Sequence, residues 1–459
     1  MSISQELARF SSRLEMSLLP VTVQQKALHH FADWLSNAAA GHATALGRVL
    51  HALVPPEPVV QGAPLAGTLT LAEPLMAALV NGANSHCLEF DDTDRAGLYH
   101  PGAPIISAAW SAAAHQKLSG PDFLGALVAG YEVSQRLARA VNPGHYQIWH
   151  TTGTVGALGA ATATARVLGL NPDQTAWALG LAGTQAAGLW EVLPQAPQAK
   201  NLHPAKAAQA GLLAARLAQY GICGPLEILE GKQGLFAAMV PQTVLPEDCL
   251  YDLGHRWLIL ETTLKAYPVC GHTMTPIEAA LCLHGGFALD DLKTVEVFVH
   301  PVSIQVAGNP KPETEAQAKF SIPYCVALAL VKGTVSREDF EGFSEQNITH
   351  PLVNRVMNLV RLKPNPDISD ENGRRPASVV LGLKNETTQK ANARFRKGDP
   401  ENPLTDLERQ NKFRNLTAPV WGEDASREIW DKLPDLFRIP DIKAWWREFP
   451  RPEAPIHST

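Results

Sequence analysis

No run of about 18 apolar residues occurs in this chain, so a membrane-spanning helix is excluded by length alone. Met1 to Leu14 has neither the basic stretch nor the unbroken apolar core of a secretory signal. Cysteine is scarce: six in 459 residues (Cys87, Cys223, Cys249, Cys270, Cys282 and Cys325), with no CxxC pair. That scatter argues against a zinc ribbon or a disulfide framework, and a reducing cytoplasm is the simplest setting. Charge is thin, at 18% of residues with a net charge of -6. Without a basic run or a basic amphipathic helix there is no face for a phosphate backbone, which excludes a nucleic-acid partner. HExxH, an EF-hand loop, GxGxxG after a strand, GxxxxGK[ST] and GxSxG are all missing, so metal-motif, dinucleotide, P-loop and serine-elbow chemistry lack support.

What the chain has is alanine, glycine and length. A chain of 459 residues exceeds one simple core and suggests two or three domains. Abundant small residues suit closely packed helices and a large oligomer interface. Thr22 is placed to cap a helix with apolar positions Val23, Ala27, Phe31, Trp34 and Leu35, spaced by three and four. Helical patterns follow at Pro74 to Cys87, Ile105 to Leu118, Asp122 to Val141, Thr154 to Leu168, Pro172 to Gly188 and Lys206 to Tyr220. The texture then changes: Val295, Val297 and Val299, and later Val379, Leu381 and Leu383, alternate as strand residues do. Helical patterns lie between them at Ile322 to Val331 and Pro351 to Val360. Helices return at Thr405 to Leu416 and Asp424 to Phe437, with Trp445 and Trp446 beyond. The expected fold is mainly α. One large helical domain comes from both chain ends, 1–267 and 400–459, and a smaller α+β domain, 268–399, is inserted.

The most informative stretch is Glu89 to Ile105. Four carboxylates (Glu89, Asp91, Asp92, Asp94), a hydroxyl (Thr93), a guanidinium (Arg95) and an imidazole (His100) fall between apolar flanks. A polar cluster between buried helices must be paired or used. Pro101 restricts His100 to extended geometry, which aims its imidazole; a loop-capping histidine fits equally. His150 to Thr154 precedes a helix whose free N–H groups attract anions, although plain capping by Thr151 or Thr152 explains the same residues. Tyr146 can reach the same pocket or serve as a buried phenol. Lys206, opening an alanine-rich helix, either snorkels or faces an anion. Lys265, Tyr267, Cys270 and His272 cluster at the boundary between the two textures, where clefts and plain packing are both found. Tyr324 opens an apolar helix, where a core tyrosine is the default. Lysines, histidines, a tyrosine and carboxylates together suit general acid–base work on a small polyanionic acid.

Taken in order, these segments resemble the MmgE/PrpD family, which includes 2-methylcitrate dehydratase, cis-aconitate decarboxylase and iminodisuccinate epimerase. The matching pieces are Asn81-Gly82, Glu89-Phe90-Asp91-Asp92-Thr93, His100-Pro101, Gly130-Tyr131-Glu132 and His150 to Thr154. Leu202-His203 with Lys206 to Gln209, Tyr267-Pro268, Gly271-His272, Phe320-Ser321 and Pro323-Tyr324 continue the series. Lys397-Gly398, Asn402-Pro403 and Lys412-Phe413 close it, over residues 15 to 420. The resemblance implies a helical domain with an inserted α+β lid, an active cleft between them, usually a homodimer, and neither a metal nor an organic cofactor. The family's acidic position falls on Glu89, where its members more often carry Asp. Its Thr, loop His, helix-start His, helix Lys and lid His fall on Thr93, His100, His150, Lys206 and His272. Lys265 and Tyr324 fall on two further pocket positions. Gly102-Ala103-Pro104 departs from the Ser-Asp-Asn of the dehydratases and the Ser-Gly of the decarboxylases.

The resemblance thus implies a cofactor-free lyase, a dehydratase or decarboxylase of a small di- or tricarboxylic acid. Lys206, Lys265 and the His150 helix start would bind carboxylates, with Thr93, Asp92, Tyr146 and Tyr324 lining the substrate. His100 and His272 would move protons. Glu89 and Asp92 would orient the imidazoles or take a proton. Epimerisation of an imino or amino dicarboxylate is the alternative, and a scaffold without turnover is the second.

Overall fold

A computed structural model describes residues 1–55, 59, 62–240, 242–343, 350–368 and 373–448. The fold is mainly α and divides into two compact units, Met1–Leu264 with Thr405–Thr459, and Lys265–Leu404. The first unit thus ends three residues before the expected boundary at 267 and resumes five after the expected 400. Thr405 marks the return because its side chain caps the helix Asp406–Trp421, with Glu408 completing a capping box.

The first unit is built around a helix, Thr151–Val167, buried at every position but Arg166. Small residues let its neighbours approach. A Cβ on Gly156 would stand 2.9 Å from Pro104 of the helix Gly102–Ala113, and one on Gly211 of the helix Leu202–Gln219 would meet Ala160 at 2.5 Å. A second core is aromatic. Phe31 of the helix Val21–His42 packs on Trp34, Trp110 and Phe123, and Trp445 from the far end of the chain joins at 6.0 Å. Burying each such ring contributes roughly 1.5–3 kcal/mol. The helix Ile3–Arg13, opened by a Ser2/Gln5 capping box, was not foreseen.

Several helix ends differ from the sequence reading. Val21–His42 begins before Thr22, with Pro20 at the N-cap, so Thr22 caps nothing. The helix expected to reach Cys87 ends at Asn84, and the one expected to reach Gly188 ends at Gly183. Ser119 caps Gly120–Val141, two residues ahead of the expected start. Glu423–Lys432 gives way to a 3₁₀ turn, Leu433–Phe437, at Pro434. Among the described residues no helix is long and apolar enough to cross a membrane.

The second unit carries a four-stranded sheet in the order Val360–Pro364, Leu292–Val299, Ala377–Leu383, Thr388–Ala393. The first pair is parallel and the others antiparallel. Val295 faces Leu381 and Val297 faces Val379, which places the two alternating segments side by side. Val360, expected to end a helix, instead starts a strand because it pairs with Val295. Helices Gly271–Leu281 and Ile322–Lys332 contribute to the core of this unit, the latter stopped by Gly333 at φ 70°.

Candidate active site

The four clustered carboxylates of the first unit have four different fates. Asp94 is wholly buried and receives a two-pronged pair from Arg139, at 3.0 and 2.8 Å. Asp92 accepts from the Tyr131 hydroxyl at 2.6 Å and the Gly102 N–H at 2.9 Å, and it lies 2.7 Å from His30. Both are therefore structural: Asp94 braces the loop, and Asp92 anchors the start of the helix Gly102–Ala113. Asp92, expected to line the substrate, has these protein partners in the substrate-free chain. Asp91 bonds to imidazoles, its Oδ2 lying 2.7 Å from His86 Nδ1 and 3.3 Å from His100 Nδ1. Burial raises the Asp91 pKa, but His86 and His100 outweigh it and hold the carboxyl well below the usual range. Glu89, in the left-handed region at φ 56°, is paired with Lys200. Such backbone strain in a non-glycine residue persists only where the surroundings enforce it.

The loop is held from two distant parts of the chain. Thr93 and Thr263 exchange both backbone hydrogen bonds at 2.9 Å. Lys412, on the returning helix Asp406–Trp421, donates to the Phe90 carbonyl at 2.7 Å and to Asp33 at 2.5 Å, and its ammonium stands 4.0 Å from the Phe90 ring centroid.

His100 Nδ1 is surrounded by acceptors: the Asp92 carbonyl at 3.0 Å, the Thr93 hydroxyl at 3.3 Å and Asp91. That arrangement puts a proton on Nδ1, so the neutral ring carries its lone pair on Nε2. Its backbone N–H donates to Thr152 Oγ1 at 3.2 Å. Thr152 is therefore an acceptor for the loop, not a cap. The N-cap is His150, and no side-chain bond caps the helix. His150 Nδ1 lies 2.9 Å from His203 Nδ1, so one ring donates and the other accepts. Burial pushes His150 well below its ordinary pKa, with Lys200 and the neighbouring imidazoles adding to it. His203 falls to about 4 through burial, His86 and Lys200. Trp190 stacks 4.3 Å from His150, and Tyr146 meets Trp190 at 4.8 Å.

Lys206 departs from expectation. It is exposed, and its ammonium donates to Gln209 on its own helix at 2.5 Å. The cation beside the imidazoles is Lys200, buried six residues earlier. Sequence reasoning passed over it because Ala199-Lys200-Asn201 reads as a solvated loop, and its partner Glu89 is 111 positions away.

The second unit holds the remaining residues. Lys265 is buried. His272 lies with Nδ1 3.0 Å from Ser303 Oγ and with Nε2 receiving Arg375 at 3.3 Å. Burial, Arg375, Arg396 and His300 keep it well below its ordinary pKa, so it is neutral with both nitrogens engaged. Tyr324 donates to the Asp339 carbonyl at 2.7 Å and packs on Phe340 and Phe343. These are the contacts of a core tyrosine, the default reading, made in the absence of the substrate it was expected to line.

His86, Asp91 and His100 each offer a metal-ligand atom, all within 4.8 Å of one another. A divalent ion with bonds of about 2.1 Å spans at most about 4.2 Å between two ligands, so holding one would draw the three together. The contacts of Asp91 Oδ2 with the two rings, at 2.7 and 3.3 Å, already account for the grouping.

Family models match nearly the whole chain: the MmgE/PrpD N-terminal domain over residues 5–247 and the C-terminal domain over residues 267–433. The chain belongs to the MmgE/PrpD family. Among its MmgE/PrpD relatives, the cis-aconitate decarboxylase-like protein oryM of Aspergillus oryzae is 27% identical over 96% of each chain. Cis-aconitate decarboxylase of Mus musculus is 28% identical over 79% of this chain and 76% of its own. 2-Methylcitrate dehydratase of Cupriavidus necator is 25% identical over 64% of each. Decarboxylases and dehydratases of this kind are lyases, and this MmgE/PrpD chain is an enzyme of that type.

Proposed function

We propose that this chain is a cofactor-free lyase acting on a small di- or tricarboxylic acid, with decarboxylation of a cis-aconitate-type acid as the first reading. The single observation that carries it is a cluster of imidazoles, of which burial holds His150 and His203 neutral, beside Lys200. With its proton on Nδ1, a neutral His100 would accept at Nε2, and Lys200 stands close enough to depress the neighbouring histidines. Charge developing next to a carboxylate needs a nearby cation and hydrogen-bond donors already in place. Lys200 supplies the cation, meeting the substrate carboxylate in competition with Glu89. His150 and His203, kept neutral by burial, supply directed hydrogen bonds without demanding a counter-charge. His100 takes or returns the proton at Nε2. His272 receives no proton step, because Arg375 and Ser303 engage both of its nitrogens. Of the three relatives named above, the two that cover more of this chain bear the name of cis-aconitate decarboxylase or its like, which supports loss of carbon dioxide over loss of water. The proposal extends to a homodimer in a reducing cytoplasm, the first of which light scattering reads directly.

An NMR time course in deuterated water, with cis-aconitate, 2-methylcitrate, citrate and iminodisuccinate in parallel, tests it. Loss of a carboxyl signal from cis-aconitate with deuterium in the product is expected. Loss of water from 2-methylcitrate would move the reading to the dehydratases. Deuterium exchange at constant composition would make it an epimerase. No change in any acid would sink the enzymatic reading. Activity retained after dialysis against a chelator is the expected result for cofactor independence.

A further inference from the structure

His86 has no part in the mechanism so far, yet it is wholly buried beside it. Its Nδ1 lies 2.7 Å from Asp91 Oδ2, and its Nε2 is buried with no hydrogen-bond partner among the described residues. The same Asp91 oxygen stands 3.3 Å from His100 Nδ1, and the two rings meet edge to face at 4.8 Å. One carboxylate oxygen therefore serves two imidazoles, and His86 is the nearer. An ionised carboxylate only accepts, so each Nδ1 bonded to it carries the proton.

We propose that His86 is a positioning residue for His100: by sharing Asp91 it sets how readily His100 takes a proton at Nε2. The proposal rests on the reading of His100 as the proton acceptor. The physical argument is one of divided charge. An anion next to an imidazole favours the imidazolium. While His86 donates to Asp91 through the shorter bond, part of that anion's attraction is already satisfied. His100 is then less readily held as the imidazolium than it would be with Asp91 to itself. Without the His86 donor, Asp91 turns wholly to His100 and stabilises its protonated form. The other groups facing this pair are Asp92 and Thr93 on the same loop, His150 at the start of the helix Thr151–Val167, and Lys200 and His203 beyond it. None of them bridges the two rings as Asp91 does.

Two substitutions separate positioning from bulk. His86→Leu keeps the volume and removes the donor; His86→Asn puts an N–H back at the δ position. Imidazole titrations are recorded by NMR on the full chain with ¹³C-labelled histidine and no substrate, with His100 assigned through His100→Gln. The pH profile of kcat/KM on cis-aconitate is then measured. In His86→Leu the His100 midpoint and the acid limb of the profile should rise together by about one pH unit, a tenfold change in the protonated fraction. His86→Asn should restore both toward the parent. Asp91→Asn, which takes the carboxylate from both rings, should move the His100 midpoint down, and an unmoved midpoint would overturn the proposal even if His86→Leu fails to fold. Equal shifts in the Leu and Asn variants, or no shift in Leu, would overturn the proposal. If the parent turns over none of the acids, the titration still tests the pairing, and only the reading of function fails.

Discussion

Replacing Lys200 by Met tests both the architecture and the chemistry of the imidazole cluster. The Lys200 and Glu89 side chains are 6% and 11% exposed, so the pair is buried and removing one partner takes a counter-charge from the other. Removing one member of a buried pair costs about 3–5 kcal/mol. A loss of 3 kcal/mol lowers a melting midpoint by about 6–12 °C in domains of 150–250 residues, an upper bound for the larger first unit. The double variant Lys200→Met, Glu89→Gln leaves no buried charge and should recover most of the loss. The expected interaction energy therefore exceeds the roughly 0.5 kcal/mol within which independent sites add. Thermal melts of the parent, both single variants and the double variant close the cycle. Steady-state kinetics on cis-aconitate supply the second readout. Loss of a charged hydrogen bond of about 1.5–3 kcal/mol predicts a fall in kcat/KM of about 10- to 150-fold. Additive melting shifts would refute the pairing, and unaltered kcat/KM in Lys200→Met would refute the carboxylate-binding role.

His100→Gln should lower kcat by about 10²- to 10⁴-fold while the melting midpoint holds, as befits a general base. Lys206→Ala should leave turnover near that of the parent, because this lysine is exposed and bonded to Gln209; a collapse in activity would reinstate it. Glu132 is wholly buried, and burial outweighs the Ile259 N–H and Arg136 to lift its pKa to about 7. The native state thus holds a proton that the unfolded chain releases above about 4.5, so stability falls as pH rises from about 4.5 to 7. Glu132→Gln can still accept from the Ile259 N–H. It should melt higher than the parent by a margin that grows across that window, and a margin independent of pH would show the carboxyl is not the cause.

Local sequence carried the helices well where apolar spacing and a breaker coincided, as at Pro172 and Gly333. It carried their ends poorly, because Asn84, Gly183 and Val360 are decided by what they touch. The loop from Glu89 to His100 announced itself through polar residues in an apolar setting, and His150 through its place before a helix. The division of labour among the carboxylates did not. Asp92 is committed to Tyr131 and Gly102, Asp94 to Arg139, and Glu89 to Lys200, all partners remote in sequence except Gly102. Lysines were the weakest point. Lys206 sits in a suggestive apolar helix yet faces outward, while Lys200 hides in a polar stretch. Only the fold distinguishes them.

The clamp of Lys412 on the Phe90 carbonyl has a consequence for how the enzyme comes into being. During synthesis the Glu89–Thr93 loop leaves the ribosome more than 300 residues ahead of the lysine that fastens it, an interval of tens of seconds at roughly 5–20 residues per second. A nascent or C-terminally cut chain therefore carries the reactive side chains without their final brace. Two fragments divided ahead of Asp406 would form a split enzyme whose activity reports their reunion.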